Sequence, residues 1–120
     1  MVRFKGKLSG ISAKPVNYDV CKLSFKIKSE FTSDAGKKLV EELEQMSLVD
    51  IRVMDQHSND RTVGNFADMR LEDITQKSGP GFVSVTLTFE VGLAYGQVGE
   101  KLFKAYKFEK LESVFEIEPV

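Results

Sequence analysis

The octapeptide KLSGISAK at residues 7–14 returns as RLEDITQK at residues 70–77, an offset of sixty-three. A basic residue, Leu, Ile, a hydroxyl residue and Lys recur in the same order, and the segments downstream of the two copies also match. After the first comes CKLSFKIK, in which Cys21, Leu23, Phe25 and Ile27 alternate with Lys22, Ser24, Lys26 and Lys28. After the second comes VSVTLTFEV, in which Val83, Val85, Leu87, Phe89 and Val91 hold one face. Side chains along a strand point alternately to its two faces, so this period marks half-buried strands. Leu23, Phe25 and Ile27 align with Leu87, Phe89 and Val91 at an offset of sixty-four, a one-residue slip in the preceding turn. The turns, KPVNYD and KSGPGF, contain Pro, with Asn or Gly for unusual backbone angles.

Each strand pair leads into a helical period. In SDAGKKLVEELEQMS, from Ser33, the residues Ala35, Leu39, Val40, Leu43 and Met46 mark one face. Thr32 or Ser33 is placed to cap this helix, because its hydroxyl accepts an otherwise unpaired first-turn N–H. In YGQVGEKLFKAYKF, from Tyr95, the residues Val98, Leu102, Phe103 and Tyr106 repeat the spacing, and Gly99 matches Gly36. A third strand follows each helix. LVDIRVMD sets Val49, Ile51 and Val53 on one side, and LESVFEIE sets Leu111, Ser113, Phe115 and Ile117.

The order is therefore β-β-α-β, a connection, and β-β-α-β again. The expected fold is α+β: a duplicated β-β-α-β unit forming an antiparallel six-stranded sheet or barrel with two packed helices. It is one pseudo-two-fold domain over residues 1–120, with repeat 1 at about 2–55, a connection at 56–64 and repeat 2 at about 65–118. Sixty residues alone bury a marginal area, so the halves are expected to share a core. Leu8 and Ile11 lie three apart, as do Leu71 and Ile74. A β-bulge in both copies would turn the later residue back inward and bend the strand, as closing a barrel requires.

Composition narrows the function classes. The chain has 120 residues, 42% hydrophobic and 29% charged, the balance of a globular domain. Its one cysteine, Cys21, excludes an internal disulfide and reads as a small core residue. No apolar run is long enough for a signal or a transmembrane helix, so the expectation is a cytoplasmic protein without a membrane partner. His57, the only histidine, lies in DQHSND with Asp55 and Asp60, which reads as a solvated loop and not a metal or acid–base site. Gly92, Gly96 and Gly99 lie ahead of or within a helix, at a spacing that is neither a P-loop nor a dinucleotide fingerprint. Gly99, like Gly36, reads as a close helix–sheet contact. No nucleophile–base arrangement is evident and no carboxylate is isolated in an apolar run. A non-enzyme is expected, with no catalytic residue, metal or cofactor.

The net charge is −1, so any polyanion argument rests on a local patch. One exists. The first 28 residues hold seven Lys and Arg against Asp19 alone. Alternation puts Arg3, Lys5 and Lys7 on one strand face, and Lys22, Lys26 and Lys28 on the polar face of the next. In the second half Lys5 becomes Asp68, Lys22 becomes Thr86 and Lys26 becomes Glu90, so the scaffold does not require the cations. Either they meet phosphates or an acidic protein surface, or Glu112, Glu116 and Glu118 of the last strand balance them from within. Sequence-tolerant single-strand binding would also need exposed aromatics, for which Tyr18 in the turn is a candidate.

Two β-α-β-type halves sharing a sheet resemble the duplicated barrels of the GyrI-like effector-binding domains. Two strands precede the first helix here, where that family has one, so the order is permuted, and no motif residue carries a ligand site over. The opening FKGKLSGIS…KLSFKIK, followed by a helix, resembles small proteins of phage replication and recombination modules over roughly the first fifty residues. That resemblance implies a phage or mobile-element origin. The leading expectation is a binding or accessory protein that meets nucleic acid or an acidic protein surface through the basic face. A second reading places a small-molecule pocket between sheet and helices at Tyr95, Phe103 and Tyr106. A third is a structural subunit whose exposed sheet edges pair with copies of itself, as in a dimer.

Overall fold

Alternation becomes burial along the first hairpin. In β1 (Val2–Pro15), Val2, Phe4, Gly6 and Leu8 go inward while Arg3, Lys5 and Lys7 stay outside. In β2 (Val20–Thr32), Cys21, Leu23, Phe25, Ile27 and Ser29 go inward. The chain continues through α1 (Ser33–Leu43), β3 (Leu48–Asp55), β4 (Ser58–Gly79), β5 (Phe82–Ala94), α2 (Tyr95–Lys107) and β6 (Glu112–Pro119). The computed structural model describes residues 1–120, the side chains of Asn59 and Asp60 excepted. All strand pairs are antiparallel, in the order β1-β2-β5-β4-β3-β6, and β6 returns to β1 to close a barrel. The expected α+β architecture of two β-β-α-β units is thus a closed ring with two helices.

The third strand of each unit does not pair with its own first two. β3 lies between β4 and β6, and β6 lies between β1 and β3. The halves therefore interlock around one core, in which Phe25, Phe66, Phe89 and Phe115 are fully buried. α1 contributes Leu39, Val40 and Leu43 to that core, and α2 contributes Ala105. Thr32, at the end of β2, caps α1 by accepting from the Ala35 N–H. The expected bulges are present. One extra β1 residue lies between Ser9 and Ser12, and one extra β4 residue between Leu71 and Asp73. Gly10 takes φ +62° within the first, a conformation that favours glycine.

Ladder pairing shows how the two copies correspond. Lys7 faces Lys28, and its counterpart Arg70 faces Glu90. β1 and β4 therefore match at sixty-three, but β2 and β5 match at sixty-two, not sixty-four. The helices also begin sixty-two apart, at Ser33 and Tyr95. α2 is longer than α1 (13 residues against 11), so β3 and β6 match at sixty-four. A two-residue error is invisible in a strand, because both registers send the same faces inward. In a helix one residue is a rotation of about 100°. The counterpart of buried Leu43 is accordingly Ala105, not Tyr106, and that of Gly36 is Val98, not Gly99. Phe103 and Tyr106 correspond to the exposed Glu41 and Glu44.

Two boundaries also differ from expectation. The connection expected at 56–64 is a tight hairpin, with β4 starting at Ser58. Pairing with β3, as in Met54–Thr62 and Val53–Gly64, overrides the loop-like composition of that stretch. Leu111 lies ahead of β6 and is exposed; Ser113, Phe115 and Ile117 fill the inner face.

Candidate functional site

All six expected cations point outward. Lys7 lies directly opposite Lys28, Lys26 opposite Ser9, and Lys14 opposite Lys22. Like charges directly opposite one another are destabilising, so this ladder costs the fold something. Two of the six are engaged from within. Arg3 donates through Nε and Nη2 to Glu116 Oε2, and Arg52 Nη2 donates to Glu116 Oε1 at 2.8 Å. Glu116 is only 3% exposed, and the two guanidiniums compensate its burial. Glu118 pairs with Arg52 rather than with β1 (3.5 Å), and Lys22 pairs with Glu90 (3.5 Å). Glu112 lies opposite Lys7 without an ion pair. Among the described residues, Lys5, Lys7, Lys26 and Lys28 have no carboxylate within ion-pair distance.

Three of these lysines, Lys5, Lys7 and Lys28, border an opening in the barrel wall. The β1–β2 ladder begins at Lys7–Lys28, and the earlier part of β1 pairs with β6 instead. Phe4 and Phe31 pack edge-to-face across the resulting seam, with ring centroids 6.0 Å apart. Beside them the inward residues are small, Gly6 and Ser29. A Cβ on Gly6 would come within 2.3 Å of Ser29 Oγ. The outcome is a cleft of about 570 Å³ whose lining includes Lys5, Lys7, Lys28, Lys110, Ser9, Ser29 and Ser84. Its acids are Glu30 and Glu112, so the lining carries four positive and two negative side chains. Ser29 Oγ is buried there without a hydrogen-bond partner among the described residues. A buried hydroxyl left unpaired costs free energy.

The second half contains the same seam in closed form. Met69 stands where the first half has Gly6, and Val91 where it has Ser29. The counterpart cleft is smaller, about 390 Å³, and is lined by Asp68, Arg70, Glu72, Glu90, Val91, Lys22 and Leu48 among others. Both of its cations are paired, Arg70 with Glu72 (3.6 Å) and Lys22 with Glu90, and Asp68 leaves the lining with one net negative charge. Sequence reasoning found Lys5, Lys7 and Lys28 but missed Lys110, Gly6 and Ser29. The loss of bulk from Met69 to Gly6 is readable at the offset of sixty-three, while the loss of hydrocarbon from Val91 to Ser29 appears only at sixty-two.

Tyr95, Phe103 and Tyr106 do not form the expected cleft between sheet and helices. They lie on the outer side of α2, 45%, 68% and 54% exposed. Tyr95 reaches the first turn, where its hydroxyl donates to the Asn17 carbonyl (2.8 Å), and Lys107 stacks over Phe103. The closed ring also removes the open sheet edges on which self-assembly was argued. Cys21 is buried on the inward face of β2. His57 lies in the β3–β4 turn, its N–H donating to Asp55 Oδ1 (2.9 Å), while Asp60 lies outside the described side chains. No group of three metal-binding side chains occurs among the described residues. Gly36 is a close contact, since a Cβ there would meet Val83 Cγ1 at 2.1 Å; a Cβ on Gly96 or Gly99 would meet nothing within 4 Å. Comparison with family models, curated proteins and solved structures gives no match.

Proposed function

We propose that this protein is a non-enzymatic nucleic-acid-binding protein, which takes phosphates of the strand in the β1–β2 cleft and along the lysines beside it. One observation carries the reading. The two seams share a scaffold, yet one pairs both of its cations and the other holds four lysines that no described carboxylate engages. Phosphate oxygens suit the lysine ammonium groups. Lys14, Lys22 and Lys26 continue from the cleft along the outer face of the β1–β2 ladder, an arrangement that suits an extended polyanion.

The test is fluorescence anisotropy with labelled oligonucleotides across a salt series, for the native chain and for Lys5, Lys7, Lys26 and Lys28 changed together to Ala. Each phosphate that is no longer neutralised lowers the slope of log K against log salt by about 0.7 to 0.9, so the variant's slope should fall by about three. Lys38→Ala, on α1 and outside the cleft lining, serves as control and should leave slope and affinity alone. An unchanged slope in the four-lysine variant refutes the reading. Equal competition by poly-glutamate of matched charge would transfer the face to an acidic protein partner.

A further inference from the structure

We infer that the bound strand is single-stranded, with a base stacked on Tyr18 at the tip of the β1–β2 hairpin. This rests on the nucleic-acid reading above but on different residues. Tyr18 is 99% exposed, the highest value among the large hydrophobic side chains described. It is not on a loose loop. Asn17 Oδ1 accepts from the Asp19 and Val20 N–H groups at 2.8 and 2.9 Å, and the Val16 and Asn17 N–H groups donate to the Val20 carbonyl. Tyr95 then ties the turn to α2 through the Asn17 carbonyl. A groove of about 510 Å³ lies between turn and helix, lined by Pro15, Val16, Asn17, Tyr18 and Tyr95. A rigid turn thus holds an aromatic face in water beside a largely apolar groove, which suits a base and offers nothing to a phosphate.

The second half again supplies the comparison. Its hairpin turn is only Pro80 and Gly81, against residues 16–19 in the first. Its aromatic, Phe82, lies over Gly79, where a Cβ would be 2.4 Å from the ring. The scaffold therefore closes this hairpin with a ring only 38% exposed, and the longer turn serves to present one fully to solvent. From the turn, Lys14 and Lys22 lead along the outer face past Lys26 to Lys28 and the cleft. Val20 to Lys28 spans about 26 Å at ~3.3 Å per residue, room for several nucleotides. Paired bases in a duplex are stacked on one another and cannot lie on Tyr18.

The experiment compares a fluorescein-labelled oligothymidylate of about 15 nucleotides, a mixed sequence of that length and its duplex, at one salt concentration. The single strands should bind about tenfold tighter than the duplex. Tyr18→Ala should weaken single-strand binding about tenfold, leaving duplex affinity and the salt slope in place, and Tyr18→Phe should retain it. Because the ring is in solvent, neither change touches the core. Equal affinity for duplex and single strand, or a silent Tyr18→Ala, overturns the inference. If the slope still falls in the four-lysine variant, the basic-face reading survives that result; if no oligonucleotide binds at all, both fall.

Discussion

At the seam between β1 and β2 the inward pair is Gly6 and Ser29; at the seam between β4 and β5 it is Met69 and Val91. Around the first stand Lys5, Lys7, Lys28 and Lys110, and around the second Asp68, Arg70, Glu72 and Glu90. Backbone plan, bulge and neighbouring helix are common to both, so packing in the ring does not demand the difference. The open seam also carries two unfavourable features that the closed one lacks: opposed lysines and an unpaired buried hydroxyl. A feature that lowers stability and is absent from the matching copy is better explained by a ligand than by folding.

The pseudo-two-fold axis sharpens the contrast. With β3 and β6 offset by sixty-four, Arg52 faces its own counterpart, Glu116; with β2 and β5 offset by sixty-two, Lys26 faces its own counterpart, Thr88. An exact repeat would place identical side chains opposite each other at both points. Two arginines or two glutamates there would repel, so divergence into Arg and Glu turns a clash into a salt bridge. On the other wall Lys26 faces a neutral residue and stays free.

The largest stability effect should come from breaking the paired wall. Glu116→Ala leaves Arg3 and Arg52 without their shared carboxylate and should cost about 2 kcal/mol, the partial exposure of both arginines limiting the loss. Lys26→Ala on the opposite wall should change stability by less than about 0.5 kcal/mol. Urea denaturation of both variants measures the difference, and equal losses would remove the distinction between the walls. Next come the helix glycines. Gly36→Ala drives a methyl into Val83 and should cost about 1–3 kcal/mol. Gly99→Ala meets open space inside a helix and should instead stabilise by about 0.5–1 kcal/mol. Thermal melts with the same sign for both would contradict the sixty-two-residue helix correspondence. The smallest effect concerns the open seam. Lys28→Glu copies Glu90, replaces a like-charge pair with an opposite one across from Lys7, and should stabilise by about 0.2–1 kcal/mol at low salt. The same variant should bind oligonucleotide more weakly, so stability and binding move in opposite directions.

Much of the fold was legible because strand and helix periods are local. Alternation through Leu23, Phe25 and Ile27 identified β2, and the three-residue spacings Leu8–Ile11 and Leu71–Ile74 located both bulges. Phe103 and Tyr106 are misplaced because matching Gly36 to Gly99 sets the helices sixty-three apart instead of sixty-two, and one residue rotates the face away. Residues 58–64 read as a loop because Ser, Asn, Asp and Gly favour turns, while their strand conformation depends on β3, a partner that composition does not reveal. The cations Lys5, Lys7, Lys26 and Lys28 were visible as a charge asymmetry between the copies.

What the sequence determined by itself is the repeated unit, its inward faces and the uneven distribution of charge. These follow from side-chain periodicity, which acts over a few residues. Only the tertiary structure decided that the ring closes, that β3 and β6 exchange between halves, and which acids meet which cations. Arg3 lies 113 positions from Glu116, and Gly6 lies against Ser29 only because the β1–β2 register sets them side by side where that ladder ends. Neutralisation and cleft formation depend on such distant juxtapositions, and the register of the closed barrel sets them.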